Sequence, residues 1–460
     1  MSTTHSVPRS AVRDIVWPAI TTGTTARQLA LQQQFQQSER WDPARLRAQQ
    51  FIQLQQLTAH AARTMPFWRA RLRDAGITPG APLDDAAWSR IPVLTRAEAQ
   101  DAGAALHCLS IPPAHGETYH ASTSGSSGRP LNIAKTALHQ QFWDAFQLRE
   151  ALWQGLDMRA KTGAIRTLRD IKAGPGGTVR EADWGATFAP IFATGPAVAF
   201  EIRRPIAEQA AWMLREDPEY LLSFSANLSL LAQHFRDAKS RPKRLRKLRG
   251  FAEIVSADMR DLCRDVFGVE IIDSYSSEEV GYIALQCPAH LSALHVMAEG
   301  VFLEVLNPAG QPCAPGEIGR VVVTPLHNFA MPMLRYEIGD LAECGGPCAC
   351  GRGLPVLNRI IGRSRAAVIM PDGTARAAFF GSKSFYKIPA IRQYQAAQTA
   401  RDTIEIRLVV RQELTADEAA FITQVVRDDL DPSFQIRIVY TDDIPRMPSG
   451  KFEEFRCEFA

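Results

Sequence analysis

The sequence predicts an α/β protein: a large N-terminal domain of layered α/β subdomains with a β sub-barrel, then a small mobile α+β C-terminal domain. Three observations carry this reading. Between 160 and 273, short β-type runs alternate with helical ones, at 163–168, 197–201, 207–215, 220–223 and 229–238, which is the pattern of α/β layers. Strand runs at 294–297, 301–306 and 319–324 are separated by the turn signals Asn307-Pro308-Ala309-Gly310 and Pro315-Gly316-Glu317, which point to an antiparallel sub-barrel. After Ile360-Ile361-Gly362-Arg363-Ser364-Arg365 the pattern becomes that of a small α+β unit, with strands at 367–370, 403–410 and 435–440 and a helix over 415–430. The expected domains are 1–363 and 364–460.

The bulk properties fit this division. A chain of 460 residues exceeds a single compact core. Its 46% hydrophobic and 22% charged content is that of an ordinary globular protein. A net charge of +3 does not argue for nucleic acid or a membrane as partner. No apolar run is long enough to span a bilayer, and Met1-Ser2-Thr3-Thr4-His5-Ser6 lacks the pattern of a secretory signal. The expected location is the cytoplasm. Eight cysteines in a chain of this length do not suggest a disulfide scaffold.

Residues 1–25 read as a loose arm. From Thr25 to Asp74, Leu29, Leu31, Phe35, Leu46, Phe51, Leu54 and Leu57 recur at helical spacing, and these helices are expected to cap a sheet. Met65-Pro66 punctuates one of them. Chemistry starts after residue 115. Thr118-Tyr119-His120 ends a short strand and leads into Ala121-Ser122-Thr123-Ser124-Gly125-Ser126-Ser127-Gly128-Arg129-Pro130. Bare amides, hydroxyls and the Arg129 cation are what a polyphosphate needs, although a Ser/Gly linker has the same composition. The Walker spacing is absent.

Helix resumes at 137–152. The basic run 239–249 reads as a solvated helix or loop, with a polyanionic nucleotide tail as the alternative partner. A strand over 250–256, a helix over 259–266 and a strand over 269–273 then deliver Ser274-Tyr275-Ser276-Ser277-Glu278-Glu279-Val280-Gly281. That is the end of a strand at which α/β sheets bind ligands. An aromatic ring there can stack on a base and carboxylates can hold Mg²⁺; a turn followed by an acidic helix start would read the same way. Asp340, expected just past a strand, could accept hydrogen bonds from ribose hydroxyls. Lys451, after Pro448-Ser449-Gly450, sits on a loop tip from which its long stem could deliver a point charge into another domain's cleft.

Taken together these stretches resemble the adenylate-forming superfamily. Thr123–Pro130, Tyr275–Gly281, Arg335-Tyr336-Glu337-Ile338-Gly339-Asp340, Gly362-Arg363 and Pro448–Lys451 occur in that family's order. With Cys287, His295, Glu299, Phe302, Glu304 and the run Pro347-Cys348-Ala349-Cys350-Gly351-Arg352-Gly353, the chain looks most like the phenylacetate–CoA ligase branch, including its capsule-biosynthesis-type relatives. Three positions depart from the broad pattern: Arg129 stands where Lys is usual, Ser276 where Gly is usual, and Glu278 where Thr or Ser is common.

The resemblance implies an AMP-forming acid–thiol ligase. A small-molecule carboxylic acid, aromatic or apolar, would be activated by ATP and passed to coenzyme A. The alternatives are transfer to a carrier-protein pantetheine, an amine or a hydroxyl, and a non-catalytic nucleotide-binding homologue. Thr123, Ser124, Gly125, Ser126, Ser127, Gly128 and Arg129 would hold the phosphates. Tyr275 and Ser276 would meet the adenine with Glu253 nearby, Asp340 and Arg363 would hold the ribose, and Glu279, with Glu278 in reserve, would associate with Mg²⁺. Lys451 would bridge carboxylate and phosphate, carried by a C-terminal domain that pivots near Ser364–Arg365. Apolar segments near Trp184, Phe188, Phe192 and 224–227 are expected to line the acid pocket. The oligomeric state stays open, a homodimer included. Cys287, His295, Cys348 and Cys350 form a soft donor set suited to a structural Zn²⁺, with His290 and Cys344 as spares and free thiols as the alternative.

Overall fold

Elements appear where apolar periodicity and local stop signals agree. The structure is a computed structural model that describes residues 7–122, 130–168, 174–363, 367–371, 375–377, 385, 388–447 and 450–459. The chain divides into two compact units. One comprises Met1–Met158, Ala186–Ala193 and Ser274–Ile360; the other comprises Arg159–Gly185, Thr194–Asp273 and Ile361–Ala460.

In the first unit the expected helical stretch is three helices, Gly23–Ser38, Pro43–Thr64 and Pro66–Asp74. The second begins where the Asp42 side chain accepts from the Arg45 amide with Pro43 in the first turn. It ends because Pro66 forces Met65 into an extended conformation. Leu54, Leu57, Trp68 and Trp88 are buried in one core with Phe302 and Tyr336, so the helices do cap a sheet. Polar pins fix the contact. Gln50 Nε2 donates to the carbonyls of Ala298 and Val301, and Trp68 Nε1 to that of Pro332.

That sheet has seven strands, in the order Val301–Leu306, Ile318–Pro325, Tyr336–Cys344, Val356–Arg363, Leu294–Val296, Gly281–Gln286, Ser274–Ser277. Of the strands expected to form a sub-barrel, Val301–Leu306 and Ile318–Pro325 open a meander at one end of it, with Phe302 opposite Thr324 and Val322 opposite Glu337, whereas Leu294–Val296 lies inside the sheet between Val356–Arg363 and Gly281–Gln286. Asp340 lies inside the strand Tyr336–Cys344 rather than past its end. The alternation of buried Tyr336, Ile338 and Ala342 carries the strand through it.

The second unit contains a six-stranded sheet, in the order Thr178–Glu181, Ala197–Glu201, Thr162–Arg166, Tyr220–Phe224, Lys247–Phe251, Ile271–Ile272. All its pairs are parallel except that of the edge strand Thr178–Glu181. Helices Ile206–Glu216, Ser225–Asp237 and Ala257–Phe267 make the crossovers. The strand expected at 250–256 occupies Lys247–Phe251 and takes in the end of the basic run. Leu248 is buried there, with Lys247 and Arg249 half-buried on either side of it along the strand. Glu253 therefore falls beyond the strand. The strand expected at 269–273 shrinks to Ile271–Ile272, and Ser274–Ser277 joins the other sheet. The C-terminal part pairs Gln435–Tyr440, Thr403–Val410, Ile391–Ala400 and Phe455–Cys457 in one sheet, closed by the helix Ala416–Asp429 over Tyr394, Ile406 and Phe434.

Gly353 shows how tightly the first unit closes. A Cβ there would lie 1.8 Å from the Trp41 carbonyl oxygen, while the Gly353 amide donates to Glu39 O at 2.9 Å. Gly353→Ala is expected to lower stability by about 1–3 kcal/mol, read as a shift in the denaturant midpoint; an unchanged midpoint would contradict this packing.

Candidate active site

The acidic motif is shaped by a tight hairpin. Ser274–Ser277 and Gly281–Gln286 pair antiparallel with Ser277 opposite Gly281, and Gly281 takes φ 97°, a conformation that favours glycine. Glu278, Glu279 and Val280 form the tip, steadied by the Val280 amide donating to Ser277 Oγ at 3.2 Å. The two carboxylates leave this tip toward different cations. Glu278 pairs with Lys135. Glu279, only 5% exposed, accepts from Arg96 Nη1 at 2.7 Å. Arg96 also donates to Tyr336 Oη at 3.4 Å.

Tyr275 and Asp340 stand on two strands of the same sheet. The Tyr275 hydroxyl donates to Asp340 Oδ2 at 2.7 Å, and both residues are buried. An aromatic ring and a carboxylate are thus held one hydrogen bond apart, with Ser276 next along the strand. On either side of the Ser/Gly stretch, Thr118–Ser122 and Asn132–Thr136 pair antiparallel, with Ser122 opposite Asn132. Thr123, Ser124, Gly125, Ser126, Ser127, Gly128 and Arg129 lie outside the described residues, as do the pivot positions Ser364 and Arg365. Arg363 is described only as the last backbone position of its strand.

In the second unit, Glu253 follows the strand Lys247–Phe251 across Ala252, which takes φ 63°. Its Oε2 accepts from the Ala226 amide at 2.9 Å and its Oε1 from the Phe452 amide at 2.7 Å. Burial raises its pKa from the ordinary carboxylate value, opposed by those two amides and by Arg446 and Lys451. Lys451 closes a turn in which its carbonyl accepts from Met447 N at 2.9 Å and Gly450 N donates to Met447 O at 2.8 Å. Of the expected acid-pocket residues, Trp184 Nε1 donates to Ala160 O and Asn227 Nδ2 to Gln209 Oε1. Phe188 and Phe192 are buried in the first unit.

The four soft donors do converge. The ligand atoms of Cys287, His295, Cys348 and Cys350 all lie within 4.8 Å of one another. Cys287 Sγ is 3.9 Å from Cys348 Sγ, and Cys350 Sγ is 3.2 Å from His295 Nε2. Tetrahedral zinc–thiolate bonds set sulfurs about 3.8 Å apart, so the donor set fits the ion in type and spacing. Burial, aided by Arg352 and Arg149, pushes His295 down to about 4, which keeps its imidazole neutral. Arg40 Nη1 donates to the Cys350 carbonyl and steadies the loop. His290 and Cys344 do not join the four.

Sequence reading missed Arg96 and Lys135. Thr95 and Glu98 form a capping box that starts the helix Arg96–Ala102, a local signal that marks the helix but not Arg96's partner.

Residues 372–455 match the CapK C-terminal domain. A phenylacetate-coenzyme A ligase of Thermus thermophilus is 26% identical over 341 residues, covering 71% of this chain and 72% of the relative. One of Escherichia coli is 24% identical over 328 residues, with the same coverage of each. The chain is thus similar in sequence, over about seven tenths of its length, to ligases named phenylacetate-coenzyme A ligase. Its fold is that of 2-hydroxyisobutyryl-CoA ligase in the postadenylation state in complex with R3-HIB-AMP, with a TM-score of 0.74, 19% identity and coverage of 91% of this chain and 90% of that one. An anthranilate CoA ligase in complex with anthranoyl-AMP shares it over 72% of this chain and 64% of that one, at a TM-score of 0.55 and 17% identity. Among the described residues no helix is long and apolar enough to cross a membrane.

Removing Arg96 would strand a buried carboxylate. Arg96→Ala is expected to cost about 3–5 kcal/mol, with part of the loss recovered in the double variant Arg96→Ala/Glu279→Gln. Chemical denaturation of the set checks this; no recovery in the double variant would mean that the pair is not coupled.

Proposed function

We propose that the protein joins a small-molecule carboxylic acid to the thiol of coenzyme A through an acyl-adenylate, consuming ATP. The observation that carries this is the Tyr275–Asp340 pair, a ring for the base and a carboxylate for the ribose held together by one hydrogen bond. In the first step a carboxylate oxygen attacks the α-phosphorus of ATP, the bond to the β-phosphate bridge oxygen breaks, and pyrophosphate leaves. The protein supplies position and charge. The amides and hydroxyls of Thr123–Gly128, with Arg129, hold the β- and γ-phosphates. Tyr275 stacks on adenine beside Ser276, and Asp340 accepts from the ribose with Arg363 assisting. Bound Mg²⁺ would offset phosphate charge, and Glu279, whose Oε1 accepts from Arg96, would associate with it. Lys451 places its ammonium between the acid and the α-phosphate. In the second step the thiol sulfur attacks the acyl carbon, loses its proton, and AMP leaves as the C–O bond breaks. Residues 364–460 act as a lid that pivots near Ser364–Arg365 between the steps.

ATP–pyrophosphate exchange over a panel of aryl and short acyl acids tests the first step. Lys451→Ala is expected to lower exchange by about a hundredfold. Coenzyme A and a carrier-protein pantetheine are then offered as rival acceptors. Wild-type protein that binds ATP but exchanges with no acid would overturn the ligase reading.

Cys287, His295, Cys348 and Cys350 hold a structural Zn²⁺ in this proposal, closing two loops without entering the reaction. The purified protein should carry stoichiometric zinc, and Cys348→Ser should lose it together with thermal stability. Metal-free protein with an unchanged melting temperature after chelation would argue for free thiols.

A further inference from the structure

Glu253 is a half-buried carboxylate whose two oxygens are both taken by main-chain amides of distant segments. Oε2 accepts from Ala226 N and Oε1 from Phe452 N. The first amide belongs to the opening turn of the helix Ser225–Asp237, whose N-cap Phe224 offers no side-chain acceptor. Glu253 supplies that missing cap from another element, where a negative charge is favoured. The second amide belongs to the residue that follows Lys451. One side chain therefore ties the Lys451 turn to the end of the parallel sheet.

The rest of the turn is seated against the same surface. Arg446 Nη2 donates to Asn227 Oδ1 at 3.3 Å, and its Nη1 donates to the Gly450 carbonyl at 3.2 Å. Gly450, at φ 89°, lies so close that a Cβ would come within 2.8 Å of Thr167 Oγ1 and 3.2 Å of the Phe224 ring. Beyond Lys451, the Ala396 amide donates to the Glu454 carbonyl at 2.8 Å, which ties the segment back into the C-terminal sheet. Of these anchors, Glu253 alone accepts from the backbone next to Lys451 with a carboxylate, and charge-assisted bonds of this kind are the strong ones.

We infer that Glu253 is a positioning residue for the adenylation step: its carboxylate latches the Phe452 amide and so holds the Lys451 ammonium in place. This rests on the role proposed for Lys451. It also reassigns Glu253, which the family resemblance sets near the adenine, from reading the base to holding the lid's loop. Two acceptor oxygens facing two N–H donors leave no room for an amide: Glu253→Gln must turn its NH₂ toward one donor. Glu253→Asp keeps the charge but gives up a methylene of reach, so it cannot hold both amides.

Hydrogen exchange at the Phe452 amide, measured on the full-length protein, tests the latch without any turnover. Glu253→Gln should speed that exchange by about tenfold or more, the size of a lost hydrogen bond to a charged group. Its ATP–pyrophosphate exchange should fall by a similar factor, with ATP affinity unchanged and thioester formation from a supplied acyl-adenylate retained. A role in holding the nucleotide would instead weaken ATP binding, and a purely structural role would depress both half-reactions together; either result overturns the latch. Phe452 protection equal to wild type also overturns it. Should Glu253→Gln fail to melt cooperatively, Glu253→Asp carries the same readouts. Wild-type protein inactive with every acid would defeat the ligase reading, while the Phe452 amide would still decide whether Glu253 holds the loop.

Discussion

Glu279 is a carboxylate placed almost out of reach of water, and the first unit is arranged so that a guanidinium meets it. A buried charge without a partner is too costly to keep, so Arg96 must be brought to it from the start of a short helix. The same constraint recurs twice. Arg335 pairs with Glu304 and donates to the carbonyls of Ser89 and Ile91. Arg149 pairs with Glu39 and Glu299 and donates to the Phe35 carbonyl. Each set ties the N-terminal helical region to the sheet or to residues beside it. Buried pairs of this kind contribute little net stability; here they define which helix sits where, and with it the position of the acidic hairpin.

That arrangement has a chemical consequence. A carboxylate already paired with a guanidinium is oriented before any ligand arrives, so little reorganisation is left for the reaction step. The Tyr275–Asp340 hydrogen bond does the same for the surface proposed to meet the nucleoside. In the second unit the logic is reversed. Glu253 holds two main-chain amides rather than a cation, alongside the Arg446–Asn227 hydrogen bond of the same turn. A pair of buried charges suits the part of the site proposed to stay fixed, and an amide latch suits the segment proposed to change place between half-reactions.

Much of the fold was legible in the chain. The helical spacing of 43–64, the alternating strands of 301–306 and 403–410, and the stop at Pro66 are local signals acting over a few residues. The readings that slipped did so where side-chain chemistry masked the period. Lys247 and Arg249 made a buried strand look like a solvated run, and Asp340 looked like the end of a strand that continues through it. In the candidate site the acidic motif, Tyr275, Asp340, the four soft donors and Lys451 could all be named from residue type and order. Arg96 and Lys135 could not, because Arg and Lys are common and nothing beside them marks a partner.

The sequence by itself determined which elements form, in what order the motifs come, and which residue types are on hand for phosphate, ribose, acid and metal. These depend on near neighbours, and near neighbours are written in the chain. Only the tertiary structure decided the partners. Arg96 and Glu279 are 183 residues apart, Glu253 and Phe452 are 199 apart, and Cys287 meets Cys348 across 61. Such pairs exist because packed layers bring distant backbone together, and the distance and burial that give each charge its meaning are properties of that packing.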